Sequence, residues 1–166
     1  MIEEKVINDF EMEKTDLAYS AGLFDGEGCI TIANKIHKRQ LSNGIVKVHK
    51  YHELRVDFVN TNEWVCRQFQ FSFGGSLYCH KYKKPRQPCW QCCLVAKQAM
   101  AFLEAVLPYL KIKKPQAEIG INFERRKLLY GRGSKRLTEK ERVMREASRI
   151  LISNLNNPLS KLGKHD

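Results

Sequence analysis

The chain of 166 residues has no apolar run approaching the roughly 18–20 residues that a membrane-spanning helix needs, so a transmembrane protein is not expected. Its first residues, MIEEKVINDFEMEK, are acidic and lack the apolar core of a secretory signal. An intracellular protein, in the cytoplasm or an organelle, is therefore expected. Acidic residues are scarce beside basic ones, 18 against 29, and the net charge is +11. Six cysteines are present, but they form neither a secreted disulfide framework nor a pair of CxxC motifs. Cys89 and Cys92 make one CxxC inside an expected strand, where residues three apart point to opposite faces, a poor arrangement for one zinc ion. No internal repeat and no interdomain linker is present.

What is present is basic and patterned. Lysines and arginines cluster at 35–50, 81–86, 111–114 and 125–136. Such clusters suit a polyanion, because neutralising phosphates releases counterions; an even spread of charge would serve solubility alone. Apolar content of 43% is enough for a real core.

Residues 15–26 read as a helix capped by Thr15 or Asp16. Leu17, Ala21 and Phe24 share one face. Ala18, Gly22 and Gly26 recur at spacing four on the other, and small residues in that pattern let a second helix approach closely. The alternative is that Gly26 and Gly28 merely end the helix. A strand over 28–38 places Ile30, Ile32 and Ile36 on one face and Thr31, Ala33, Lys35 and His37 on the other. After a Ser42–Asn43–Gly44 turn, residues 46–59 alternate, with Val46, Val48, Leu54, Val56 and Phe58 opposite Lys47, His49, Tyr51, Glu53, Arg55 and Asp57. A short helix over 62–73 stops at Gly74–Gly75, a second hairpin pairs 76–81 with 89–95, and helices follow over 96–109 and 115–129. Thr138 and Glu141 form a capping box for a last helix reaching about Asn154. The order is α+β, αββαββα with further C-terminal helices: an antiparallel saddle with helices on one side and a polar, basic face on the other. Residues 1–14 read as a lead, 15–155 as one domain and 156–166 as a frayed tail.

Within AGLFDGEGCI, Ala21–Ile30, Asp25 and Glu27 sit where the helix gives way to the strand. Carboxylates beside glycine at an element end suit Mg²⁺, a hard cation that takes oxygen ligands and keeps several waters; acid–glycine pairs also mark ordinary turns.

The segment SAGLFDGEG, Ser20–Gly28, resembles the signature of the LAGLIDADG homing endonucleases, with Ser20 in place of the usual leucine. FVNTNEWVCRQFQFSFGGSLY, Phe58–Tyr78, is similar to the family's strand-helix-GG-strand passage, and LPYLKIKKPQAE, Leu107–Glu118, to its LKxKxxQA passage. Together with the element order, the resemblance spans about residues 15–130. The resemblance implies a homing-endonuclease-like fold. The motif occurs once, so it also implies the homodimeric branch, with Ala18, Gly22 and Gly26 at the dimer interface. It implies Glu27 as the catalytic metal-binding acid, the Gly26 carbonyl as a second ligand, and Asp25 as a support for the helix end. Lys113 becomes the basic residue near the scissile phosphate, Asn60 (or Asn62) the residue that positions water, and Arg67 a further basic candidate. Mg²⁺ is the implied cofactor, with Mn²⁺ or Ca²⁺ able to substitute in binding. The implied partners are double-stranded DNA and a second copy of the chain, with no membrane and no small-molecule substrate. The implied reaction is a double-strand break across the minor groove of a long pseudo-palindromic site, serving intron or intein mobility.

The polar sheet face is the expected DNA-reading surface, through Thr31, Lys35, His37, Lys47, His49, Tyr51, Arg55, Asp57, Lys81 and Gln91. Lys83, Lys84, Arg86, Arg132, Lys135 and Arg136 are expected on phosphates. Two other functions use the same saddle: an RNA-splicing maturase, which need not depend on Glu27, and a non-cleaving DNA-binding regulator, against which Glu27 and Lys113 together argue.

Overall fold

A computed structural model describes residues 12–83, 85, 87–130 and 137–157. The elements run α1 (Lys14–Glu27), β1 (Gly28–Gln40), β2 (Val46–Asn60), α2 (Glu63–Phe73), β3 (Ser76–His80), β4 (Cys89–Val95), α3 (Ala96–Val106), α4 (Lys114–Leu129) and α5 (Glu139–Asn156). The four strands form one antiparallel sheet in the order β1-β2-β4-β3. The expected α+β order αββαββα, followed by further helices, is the one observed.

Strand alternation decides which face is dry. Ile30, Ile32, Leu54, Val56, Phe58, Cys92 and Leu94 are buried and meet the helices. Phe24, Phe58, Phe69, Phe73 and Phe102 interlock beneath them, with ring centroids 4.7–5.0 Å apart. Each fully buried ring contributes roughly 1.5–3 kcal/mol. This core holds α1 against the end of the sheet where β1 begins.

Local signals set several boundaries. Asn62 accepts the Trp64 N–H at 3.0 Å and so caps α2, an interaction worth about 1 kcal/mol. In the β1–β2 hairpin Gly44 takes φ +79°, and Asn43 accepts the Ile45 N–H. Gly75 has φ +91°, and a Cβ there would lie 2.6 Å from the Cys93 carbonyl oxygen, so no other residue fits. That glycine lets the chain turn from α2 into β3 directly under β4.

Several expectations are corrected. Helix α1 starts at Lys14 with Glu13 at its N-cap, so Thr15 and Asp16 lie in its first turn and neither caps it. Helix α3 ends at Val106, before Pro108, and not at Tyr109. At Thr138 half of the capping box forms: its hydroxyl accepts the Glu141 N–H at 3.3 Å. The Glu141 carboxylate is taken instead by Arg126 and Arg145, both at 2.9 Å, which ties α5 to α4. Ile36, Val46 and Val48 keep the predicted side of their strands but are exposed, because the β1–β2 ribbon runs beyond the helices that cover its base. Lys81 lies just past the end of β3. Helix α5 closes over β1: Asn156 donates to the Ile30 carbonyl at 2.8 Å, and His52 on β2 pairs with Glu146 at 2.9 Å. Among the described residues no helix is long and apolar enough to cross a membrane.

Candidate nuclease site and DNA-reading face

The end of α1 and the start of β1 carry the acids. Asp25 is buried. Its carboxylate accepts three backbone N–H groups from the loop before α4: Lys111 at 2.7 Å, Ile112 at 3.1 Å and Lys113 at 2.9 Å. Burial pushes this carboxyl up, but the three donors and the Lys113 charge outweigh burial and hold it below its ordinary value. Asp25 is therefore a structural anchor that fastens the 111–113 loop to the motif helix, a more specific role than support of the helix end. The same anchor aims Lys113, whose Nζ donates to the backbone carbonyl of Asp25.

Glu27 is the last residue of α1 and is exposed. Among the described residues its carboxylate has no hydrogen-bond or ion-pair partner, unlike its neighbour two positions earlier. Gly28 follows, and a Cβ there would fall 2.2 Å from the Phe24 ring. Glycine therefore lets the chain leave the helix hard against the core, and this places Glu27 outside it. Gly26 lies in the last helical turn, where carbonyls run out of intrahelical partners. Gly22 and Gly26 are both exposed, and a Cβ at either would meet nothing within 4 Å. The fold of the single chain does not need them. Ala18 is exposed on the same helix, whereas Ala21 and Phe24 are buried.

The antiparallel register pairs Gly28 with Phe58, so Asn60, the last residue of β2, ends at the same margin of the sheet as Glu27. Its side chain accepts the Asn62 N–H at 2.8 Å. Asn62 makes the same kind of bond, to the Trp64 N–H, and caps α2, so the side-chain oxygen of each asparagine is engaged. Arg67 is engaged elsewhere: its guanidinium pairs with Glu63 at 2.6 Å and lies 5.4 Å over the Trp90 ring.

The open face is assembled by cross-strand pairing. Thr31 faces Arg55, Lys35 faces Tyr51, His37 faces His49 and Cys29 faces Asp57. Asp57 faces Cys93 on β4, and Gln91 faces Tyr78 on β3. Thr31, Lys35, His37, Lys47, His49, Tyr51, Arg55, Asp57 and Gln91 thus share one face. His49 and Tyr51 stack with centroids 6.0 Å apart. Asp57 is not a free reader. It takes Arg55 Nε at 2.6 Å and Nη2 at 2.9 Å, and the Gln91 amide donates to it at 2.6 Å. The other end of Gln91, Oε1, meets His80 Nε2 at 2.6 Å. The carboxylate of Asp57 raises the Arg55 guanidinium's pKa further. Burial and then Asp57 push up the thiols of Cys29 and Cys93. Sequence reading missed His80 and Tyr78. The signal was available in the register of β3 against β4, which puts both on the face of Gln91. Cys89 and Cys92 fall on opposite faces of β4. Arg132, Lys135 and Arg136, with Lys84 and Arg86, lie outside the described residues.

No protein-family model and no curated protein matches the chain. Solved structures do. The homing endonuclease I-CvuI, in complex with the I-CreI target in the presence of 2 mM Mg with the DNA not cleaved, superposes with a TM-score of 0.60 at 19% identity, over 92% of this chain and 97% of that one. The archaeal intron-encoded homing endonuclease I-Vdi141I, complexed with DNA, gives a TM-score of 0.50 at 16% identity over 87% and 99%. The LAGLIDADG meganuclease I-CpaMI, bound to uncleaved DNA, gives 0.56 at 13% identity over 76% of this chain and 40% of that one. The fold is that of the LAGLIDADG homing endonucleases.

Proposed function

We propose that this chain is one half of a homodimeric, divalent-metal-dependent endonuclease that cuts both strands of a long, pseudo-palindromic DNA site. One observation carries the reading. Glu27, an exposed carboxylate with no partner among the described residues, ends the helix that leads into the sheet, two residues after the buried acid that anchors Lys113 and whose backbone carbonyl takes its ammonium.

The donor set suits Mg²⁺. Among the described residues there is no group of three His, Cys, Asp or Glu side chains that could hold a metal. Asp25 is unavailable, since three backbone N–H groups occupy its carboxylate. One chain therefore offers the Glu27 carboxylate and the Gly26 carbonyl. Mg²⁺ accepts one or two carboxylates and keeps its remaining waters, so it fits where zinc would not. When bound, the ion lowers the pKa of its water and polarises the scissile phosphate. Lys113 would supply positive charge beside that phosphate. Asn60 follows Phe58 on the helix side of β2 and already accepts the Asn62 N–H, so a water-positioning role for it would require that bond to open.

A half-site of this kind asks for a second copy. Ala18, Gly22 and Gly26 leave a smooth, open strip on α1, along which an identical helix can pack closely and bring a second Glu27 to the two-fold axis. The open sheet face, with Lys35, His37, Lys47 and His49 toward its far end, then lies along the major groove on either side. Two-fold symmetry of the protein calls for two-fold symmetry in the DNA. Spread of a mobile intron or intein is the biological role such a rare, long site would serve.

The test is selection of cleaved duplexes from a randomised library in Mg²⁺, with binding selection in Ca²⁺ alongside. Wild-type protein is expected to return a pseudo-palindrome and to stop cutting when the metal is chelated. Glu27→Gln is expected to abolish cutting and keep binding with the same salt dependence. Cutting by that variant would remove Glu27 from the metal site, and a library with no enriched duplex would remove the endonuclease reading itself.

A further inference from the structure

The open face contains one connected unit, made of three residues expected as separate DNA readers and of His80. Arg55, Asp57, Gln91 and His80 come from β2, β4 and β3 and are joined by four hydrogen bonds of 2.6–2.9 Å. Each link removes a choice. A guanidinium has five N–H donors. Asp57 takes the side-on pair, Nε and one hydrogen of Nη2. This leaves Nη1 and the second Nη2 hydrogen, two parallel donors on the end-on edge. The Asp57 side chain is only 14% exposed, so the pair is anchored, while Arg55 at 29% keeps an outward edge.

Gln91 is consumed in the same network. Its amide nitrogen donates to Asp57 and its carbonyl oxygen meets His80. Bidentate reading of adenine needs both ends of a glutamine, so Gln91 cannot perform it without dissolving the network. Asp57 cannot accept from a cytosine amino group on the same grounds.

Resting on the proposed DNA-cutting function, we infer that Arg55 reads a single guanine in each half-site, with Asp57, Gln91 and His80 acting as positioning residues for that one contact. The end-on donors of Arg55 match the O6 and N7 acceptors of guanine. Adenine places an amino donor where O6 would be, and so is rejected. Arg55 faces Thr31, four residues after Glu27 and three along β1 from its first residue, Gly28. At about 3.3 Å per strand residue the four residues amount to about 13 Å outward. With a rise of about 3.4 Å per base pair, the guanine lies about four base pairs from the step served by Glu27.

The test is binding selection of randomised duplex DNA in Ca²⁺ by the full chain and by Arg55→Lys, Asp57→Asn, Gln91→Ala and His80→Ala. Circular dichroism melting checks that each variant is folded. Wild-type protein is expected to select guanine at one position per half-site. Arg55→Lys is expected to relax that preference by about five- to 150-fold, the range for one bidentate contact. Asp57→Asn, Gln91→Ala and His80→Ala are expected to relax the same position and no other. The combined Arg55→Lys/Gln91→Ala change is expected to add nothing to Arg55→Lys alone. Loss of an adenine preference elsewhere in Gln91→Ala, or additive effects in the double variant, would overturn the inference while leaving the endonuclease reading intact. Failure of the wild-type protein to enrich any duplex would overturn both.

Discussion

Replacing Asp25 by asparagine separates the anchor from the chemistry. The wild-type carboxylate accepts from Lys111 and Ile112 on one oxygen and from Lys113 on the other. Asparagine has nearly the same shape but one acceptor oxygen. With that oxygen toward Lys111 and Ile112, its amino group confronts the Lys113 N–H, donor against donor. Hydrogen bonds to a charged acceptor are worth about 1.5–3 kcal/mol each, and a buried unsatisfied donor costs about 1–3 kcal/mol. Loss of one such bond, weakening of two and one unpaired N–H give a destabilisation of about 3 kcal/mol, read as a lower denaturant midpoint at unchanged slope. Amide exchange at Lys111–Lys113 should accelerate, and Lys113 should lose its fixed placement, so cleavage falls although Glu27 is untouched. The pH dependence has a defined sign. The folded carboxyl titrates below its ordinary 3.8. Its stabilisation is thus complete above that value and is lost as pH falls through the lower, folded one. Asp25→Asn should abolish this acid limb. A variant with the wild-type midpoint, slow exchange at 111–113 and full activity would refute the anchoring role.

Three further outcomes are expected. Gly22→Ala should stabilise the isolated chain by about 1 kcal/mol through helix propensity, since its Cβ meets nothing; Gly22→Leu should abolish the dimer in sedimentation without lowering the denaturation midpoint measured on monomers. Gly75→Ala should lower the thermal midpoint by an amount corresponding to 2 kcal/mol or more, about the cost of a strained backbone plus an unrelieved overlap, because its φ is +91° and its Cβ would press on the Cys93 carbonyl. Glu146 is held down to about 2 by Arg149 and then His52. The stability it contributes is therefore present above 4.5 and lost as pH falls toward 2, a limb that acid titration should find missing in Glu146→Gln.

Much of the architecture was legible because it depends on local order. Period-two alternation over 46–59, the Asn43–Gly44 turn, the Gly74–Gly75 stop and Pro115 near the start of α4 are each read within a few residues, and the elements fall where those signals lie. Exposure of Ile36, Val46 and Val48 was not legible, since alternation shows a side of the strand but not how far the covering helices reach. The role of Glu141 was missed for a similar reason. Its capping-box position is local, whereas Arg126, the partner that recruits its carboxylate together with Arg145, lies on another helix.

At the site the division is sharper. The motif Ala21–Ile30 by itself determined that Gly22, Gly26, two acids and a strand start would stand close together, because a few covalent bonds separate them. Residue types and spacing did not say which acid is free; only the family resemblance set Glu27 apart from Asp25. The physical difference depended on the 111–113 loop, 86–88 residues away, whose three N–H groups occupy Asp25 and leave Glu27 exposed. In the same way the sequence determined that Arg55, Asp57 and Gln91 lie on the polar face, and only the pairing of three strands joined them with His80 into one unit. Spacing along the chain decides which way a side chain points; which partner satisfies it is decided by contacts between distant segments.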